Sequence, residues 1–292
     1  MKEIVILSGK GGTGKTSIAG SFAALAKRKV MVDCDVDAAD LHLILKPSAQ
    51  KEQEFWSGQA AVIDKEKCIQ CDVCRGLCRF EAIKDYQVDP VSCEGCGFCS
   101  HVCPVGAITM QECLAGHWFV SSTRYGYLVH ARLGTAQENS GKLVATVRKE
   151  ARHIAEQDKL DIIISDGPPG IGCPVISSLS GANLAVLVTE PTLSGIHDLE
   201  RILGVCRHFD VPALVCINKH DINEDNTRQI EGFCRDEKIE LAARIPFDNV
   251  VTEAMIKEVP VVEFSVGKVA KEIKTLWQKV TEKLENQNSF NQ

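Results

Sequence analysis

Apolar positions along this chain fall into short continuous runs, separated by stretches in which apolar residues return every three or four positions. The runs include "EIVIL" (3–7), "KVMV" (29–32), "DIII" (161–164), "LAVLV" (184–188), "ALVCI" (213–217) and "LAARI" (241–245). Runs this short and this apolar suit strands buried on both faces. Between them, "SIAGSFAALAKRK" has helical spacing. "SGKLVATVRKEARHIAEQ" places Leu143, Val144, Val147, Ala151, Ile154 and Ala155 along one side of a helix. Strand alternating with helix predicts an α/β fold, doubly wound around a mostly parallel sheet. Towards the end, Val266, Val269, Ile273, Leu276, Trp277, Val280 and Leu284 mark a further amphipathic helix. Its polar face mixes Lys with Glu, which fits packing on the sheet better than lying on a membrane surface. "ENQNSFNQ" behind it reads as a frayed tail.

The residues where these runs end carry the first chemistry. "EIVIL" leads into Gly9-Lys10-Gly11-Gly12-Thr13-Gly14-Lys15-Thr16, which fits G-x-x-x-x-G-K-[ST], and Ser17 continues into the helical stretch. Strand, glycine loop and helix are the context that this motif requires. The glycines let backbone N–H groups approach phosphate, and the helix directs its positive end there. Lys15 would neutralise the β/γ-phosphates and Thr16 would ligate Mg²⁺. Asp33 and Asp35 follow the second run, Asp166 with Gly167-Pro168-Pro169-Gly170 the third, and "INKHD" (217–221) the fifth. Ligands of open α/β sheets collect at such carboxyl ends.

The alternation breaks after residue 45. Cys68, Cys71, Cys74 and Cys78 have the spacing C-x2-C-x2-C-x3-C, and Cys93, Cys96, Cys99 and Cys103 repeat it 25 residues later. The repeat extends past the cysteines: Val62-Ile63-Asp64 maps near Gln87-Val88-Asp89, and Ala82-Ile83 maps on Ala107-Ile108. This is an internal duplication. "KPSAQKEQEFWSGQ" (46–59) and "QECLAGHWF" (111–119) are mixed in character and read as its junctions. Clustered thiolates in a reducing compartment point to soft metal centres. Four-thiolate zinc competes with iron–sulfur here, but a C-x2-C-x2-C run is awkward for a tetrahedral ion.

Composition narrows the partners. The 292 residues are 45% hydrophobic and 25% charged, with a formal net charge of −6. There is no basic excess for nucleic acid, and no apolar run near the roughly 20 residues that span a bilayer. The apolar stretch before the first glycine is only four residues long, too short for a secretory leader. The expected location is cytoplasmic, with neither nucleic-acid binding nor stable membrane anchoring.

Two resemblances follow from these motifs. Lys10, a second lysine inside the glycine loop, makes the loop similar to the deviant phosphate loop of the MinD/ParA/nitrogenase-iron-protein class. The cysteine array resembles a bacterial two-cluster ferredoxin. Together they resemble, over essentially the whole chain, MinD-superfamily ATPases with an inserted ferredoxin. The resemblance implies an ATPase domain in two parts, 1–57 and 113–292, around a small α+β ferredoxin domain, 58–112. It implies ATP and Mg²⁺ as ligands, with Lys10 reaching a partner's nucleotide in an ATP-dependent homodimer. Asp35 would position the attacking water and Asp166 would hold the Mg²⁺ shell; Lys10, Lys15, Asp35 and Asp166 form the catalytic set. Asn218 and Lys219 would lie at the adenine with Pro246 to Asp248 nearby. N-K-x-D is itself associated with guanine, so GTP is the alternative.

For two [4Fe–4S] clusters, the ferredoxin rule takes three ligands from one half and the fourth from the other. One set is then Cys68, Cys71, Cys74 and Cys103, the other Cys93, Cys96, Cys99 and Cys78. Arg79 stands where the pattern has a proline, and a cation there would raise one potential. The function implied is ATP-gated electron transfer to an unidentified redox partner. A cluster carrier of the Mrp type is an alternative, but no C-x-x-C pair follows Cys103. A spatial organiser of the MinD/ParA type is another, and the net charge argues against it. Cys173, seven residues after Asp166, sits where the nitrogenase iron protein has a cluster ligand; a small buried residue is the plainer expectation. Lys142 and Arg148 are expected at solvated surface, and the eight histidines show no i, i+4 metal pair.

Overall fold

The computed structural model describes residues 1–134 and 140–289. In chain order the elements begin β1 (Lys2–Ser8), α1 (Lys15–Leu25), β2 (Lys29–Asp33), α2 (Leu41–Leu45) and β3 (Ala49–Ile63). Next come α3 (Val73–Leu77), β4 (Ile83–Lys84), β5 (Gln87–Val88), α4 (Phe98–Val102), β6 (Ile108–Thr123) and β7 (Gly126–Leu133). After α5 (Ser140–Gln157) follow β8 (Ile162–Pro169), α6 (Cys173–Leu179), β9 (Leu184–Thr189), α7 (Leu193–His208) and β10 (Ala213–Asn218). The chain closes with α8 (Glu224–Asp236), β11 (Glu240–Ile245), α9 (Val250–Ile256), α10 (Val261–Phe264) and α11 (Lys268–Ser289).

Two compact units result. The first comprises Met1–Glu52, Trp118–Arg132 and the described residues from Ser140 onward; the second comprises Gln53–His117 with Leu133 and Gly134. The second is wider at both ends than 58–112.

One sheet has the strand order β11-β10-β9-β1-β8-β2-β7-β6-β3, and every pairing from β11 to β7 is parallel. The expectation of an α/β fold with a mostly parallel sheet is met. Successive side chains of a strand face opposite sides, and β1 shows the result. Ile4 and Ile6 enter one core with Phe22 of α1 and Ile273, Leu276 and Val280 of α11. Val5 and Leu7 enter the other with Leu179 of α6, Leu199 and Ile202 of α7, and Ile230 of α8. Each such buried side chain is worth about 1.5–3 kcal/mol. Two helical layers therefore clamp β1, and its carboxyl end is held rigidly where the glycine loop begins.

The structure refines several expectations. The two junction segments lie largely within β3 and β6. Their Lys, Glu and Gln weaken the strand signal; β3 lies at the sheet edge, where charge keeps other chains off. Val266 lies before α11 and is exposed, whereas Val269, Ile273, Leu276, Val280 and Leu284 are buried and Trp277 packs on Phe22. The supposed tail is helical through Ser289, and Phe290 to Gln292 lie outside the described residues.

Arg148 is a further correction. Lys142 is exposed, but Arg148 on α5 is only 5% exposed. Its Nε donates to Glu3 Oε1 at 2.6 Å, and its Nη1 donates to the carbonyls of Ser177 and Ser180. Arg152 takes Glu3 Oε2 at 2.7 Å from a more exposed position. Removing one partner of a buried pair leaves the other charge uncompensated. Arg148→Ala should lower stability by about 3 kcal/mol, and Arg152→Ala by less than about 1 kcal/mol. Urea unfolding of both variants checks the ranking; equal losses would contradict it.

Candidate functional site

The loop 9–14 spans from β1 to α1, as the motif predicts. Gly14 has φ 90°, and a Cβ there would stand 2.5 Å from Asn218 Nδ2, so only glycine serves at this point. Asn218 Nδ2 donates to the Thr13 carbonyl at 2.8 Å, and Lys219 Nζ donates to the Gly12 carbonyl at 3.3 Å. The end of β10 is thus tied to the loop. Lys15 is buried, and its Nζ donates to Ser8 Oγ at 2.9 Å; Ser8 in turn donates to the Lys10 carbonyl. Burial lowers the Lys15 pKa, opposed by the charges of Asp166, Asp35 and Asp33.

Those acids sit at neighbouring strand ends. Asp33 pairs in register with Asp166 across β2 and β8. Asp33 is fully buried and accepts the backbone N–H groups of Asp35 and Leu41. Burial, then the nearby Asp166, pushes its pKa well up. Burial also raises Asp166, countered by a hydrogen bond from Thr16 and by Lys15. Asp166 Oδ1 is buried without a hydrogen-bond partner. A buried acceptor left open beside a threonine hydroxyl and a lysine fits the second coordination shell of a hard cation. Asp35 is half-buried; burial raises its pKa while Lys15 lowers it. Asp37 and Asp40 are exposed.

A cleft of about 740 Å³ opens over these strand ends. Of the candidate residues, Gly11, Gly12, Gly14, Lys15, Thr16, Ser17, Asp35, Asn218, Lys219 and Pro246 line it. Gly9, Lys10, Thr13 and Asp166 do not. The size suits a nucleotide-scale ligand. The carboxylate of Asp221 accepts the backbone N–H of Phe247 at 2.7 Å, so one of its oxygens holds the loop 246–248 in place. Lys10 turns away from the cleft, toward Glu190 and Thr192.

In the second unit the duplication is visible in the backbone. Asp64 N–H donates to Ala107 O at 2.8 Å, and its counterpart Asp89 N–H donates to Ala82 O at 2.7 Å. Each half therefore reaches into the other. Left-handed residues recur at matching places: Gln70 and Gly95, Asp72 and Gly97, Glu81 and Gly106. One small cavity is lined by Cys68, Cys71, Cys74 and Cys103. A larger one, about 300 Å³, is lined by Cys74, Cys78, Cys93, Cys96 and Cys99, with Arg79 also among its walls. The fourth cysteine of each set comes from the opposite half, and Ala107 N–H donates to Cys103 Sγ at 3.3 Å. Among the described residues, no three His, Cys, Asp or Glu side chains close on a single metal ion.

One feature had no warning in the sequence, and one expectation is corrected. His42 of α2 and His130 of β7 face each other with ring centroids 5.9 Å apart, and Phe119 stacks on His130. They line a cavity of about 240 Å³ behind Val36 and Ala39. Three separate segments contribute, so no local spacing could reveal the group. Cys173 is exposed at the first residue of α6 rather than buried. Proline follows it, and a first helical turn facing outward explains the exposure.

Comparison with known proteins adds the lineage. The family model for the CobQ/CobB/MinD/ParA nucleotide binding domain matches residues 4–261. An uncharacterized protein of Methanocaldococcus jannaschii is 32% identical over 283 residues, 96% of each chain. A 58-residue segment is 42% identical to pyruvate synthase subunit PorD of Methanothermobacter marburgensis, covering 20% of this chain and 72% of that one. The septum site-determining protein MinD of Pyrococcus horikoshii, solved with Mg-ADP, superposes with TM-score 0.59 at 21% identity, covering 96% of this chain and 95% of that one. That likeness is one of fold.

His130 supplies a pH prediction. Burial, with His42 and Arg132 nearby, lowers its pKa to about 4. The unfolded chain takes up this proton near pH 6.5, so it binds more protons than the folded chain between about 6.5 and 4. Stability should fall as pH drops through that window, by up to about 3 kcal/mol. The fall should be shallower in His130→Gln; parallel melting-temperature curves for the two chains would contradict this.

Proposed function

The chain belongs to the CobQ/CobB/MinD/ParA nucleotide-binding family, and from that premise we propose an ATP-hydrolysing iron–sulfur protein whose nucleotide state gates electron transfer through two [4Fe–4S] clusters. The observation that carries the proposal is the crossed cysteine pattern. One cavity is lined by Cys68, Cys71, Cys74 and Cys103, the other by Cys93, Cys96 and Cys99 with Cys78 and Cys74 of the first half, which supports donor sets that cross between the halves. Thiolate is the soft donor such iron prefers. When bound, the clusters would each accept and release one electron.

On the nucleotide side, the 740 Å³ cleft over the glycine loop supports ATP as the substrate. Backbone N–H groups of Gly11 to Gly14 and the end of α1 face the phosphates. Lys15, stripped of most of its water, would offset charge that grows on the β–γ bridging oxygen as the bond breaks. Thr16, backed by Asp166, would hold Mg²⁺, which would screen the phosphate oxygens. Asp35, with its pKa raised, orients water toward the γ-phosphorus. Asn218 and the loop Pro246 to Asp248 shape the base end, and Asp221, engaged with Phe247, is less available to read a guanine. The second reading of Lys10, as a group that acts on a second copy's nucleotide, makes a homodimer the working form.

Coupling rests on chain order. Asp35 to Asp40 is followed by α2 and then by β3, which runs from Glu52 into the cysteine unit. A segment that moves with γ-phosphate state therefore leads directly into that unit. The redox partner is a protein still to be identified.

Anaerobic reconstitution with iron and sulfide should load about eight irons per chain. Cys103→Ser should then disturb the same EPR signal as Cys68→Ser, and Cys78→Ser the same as Cys93→Ser. Pairing of Cys78 with Cys68 instead would overturn the assignment. Asp35→Ala and Asp166→Ala should each lose about 10²-fold or more in ATP turnover with iron content unchanged. A redox titration with MgADP and with a non-hydrolysable MgATP analogue tests the gating: potentials that do not move between the two remove it.

A further inference from the structure

Lys10 is engaged within its own chain. Its Nζ lies 3.3 Å from Glu190 Oε2 and 3.3 Å from Thr192 Oγ1. Lys219 Nζ binds the other oxygen, Glu190 Oε1, while also reaching the Gly12 carbonyl. One carboxylate therefore joins a lysine of the phosphate loop to a lysine of the base loop. Nothing in the motifs points to Glu190.

The two sides of this contact differ in rigidity. Glu190 follows β9 directly, and its carbonyl accepts the N–H of Thr192 at 2.8 Å. Thr192 Oγ1 accepts the N–H of Gly195 at 3.0 Å and so caps α7. The Pro191 carbonyl accepts Asn226 Nδ2 at 3.0 Å. The turn 190–192 is thus pinned from three directions, and the Glu190 side chain is only 13% exposed. The lysines are flexible stems, 33% and 31% exposed. A fixed anion holding mobile cations is a restraint that the cations can leave.

We propose that Glu190 is a latch: a positioning residue that holds Lys10 in its own chain until a nucleoside triphosphate draws it away. The proposal rests on the reading that Lys10 acts on a second copy's nucleotide. In this arrangement Glu190 offsets the charge of two lysines beside the phosphate loop. An incoming triphosphate is a stronger anion than one carboxylate and competes for the same ammonium groups. Lys10 then swings out to the partner, while Lys219 keeps its contact with the loop. An ion pair this exposed restrains by up to about fivefold, enough to bias the equilibrium without blocking it.

The test compares the full chain with Glu190→Gln, which keeps the shape and removes the charge. Lysine-labelling footprints, read by mass spectrometry without nucleotide, report the contact itself. The concentration of MgATP analogue at half-maximal dimer, by analytical ultracentrifugation, reports its consequence. The latch predicts faster labelling at Lys10 in Glu190→Gln, a half-point lowered about fivefold, and rescue of both values in Glu190→Asp. In a Lys10→Ala background, Glu190→Gln should leave analogue affinity unchanged. A wild-type chain that dimerises while Glu190→Gln changes neither number overturns the latch alone. So does an affinity shift that persists without Lys10, which would assign the effect to Lys219. A wild-type chain that binds the analogue and stays monomeric removes the dimer reading, and the latch with it.

Discussion

An ammonium group stripped of most of its water, facing carboxyl groups stripped of theirs, is the constraint around which this molecule is organised. Lys15, Asp33 and Asp166 come from three segments that are far apart in sequence. None would be tolerated at such depth alone. They are brought together because β1, β2 and β8 are neighbours in one parallel sheet with a helical layer on each face. The apolar cores hold the strand ends in place, and the strand ends hold the charges. The arrangement is unstable to neutralisation in both directions, since burial drives the lysine to lose its proton and the acids to keep theirs.

Much of this was legible in the sequence. Buried parallel strands announce themselves as continuous apolar runs, and each predicted run became a strand. The glycine loop was legible because phosphate binding needs small residues at set spacing. The duplicated cysteines were legible because a repeat is a comparison of the chain with itself. What escaped was non-local or edge-placed. β3 and β6 are strands whose charged residues imitate loops. The stack of His42, His130 and Phe119 assembles from three segments. Arg148 looked like surface because its partner, Glu3, stands 145 residues away. Glu190 escaped for the same reason: its meaning lies in which lysines it meets, and no spacing encodes that.

The family supplies the nucleotide unit, and the chain departs from a simple nucleotide switch through what it carries between β3 and β6. Nearly all ligand-facing chemistry of the first unit lies at one end of its sheet. The second unit uses another logic, in which two copies of one motif contribute cysteines to each other's cavities.

That mutual contribution has a price in the backbone. Both copies need left-handed residues at three matching points, and the second copy fills them with Gly95, Gly97 and Gly106. The first uses Gln70, Asp72 and Glu81, with φ of 55°, 60° and 51°, where a side chain costs about 1 kcal/mol or more. The halves are therefore twins in shape but not in ease of folding. The later copy can adopt its turns unaided, while the earlier one is held in its conformation by what surrounds it. Cys103 of the relaxed copy lines the cavity of the strained one, and Cys74 and Cys78 of the strained copy line the other, so the shape of each cavity depends on both halves being folded.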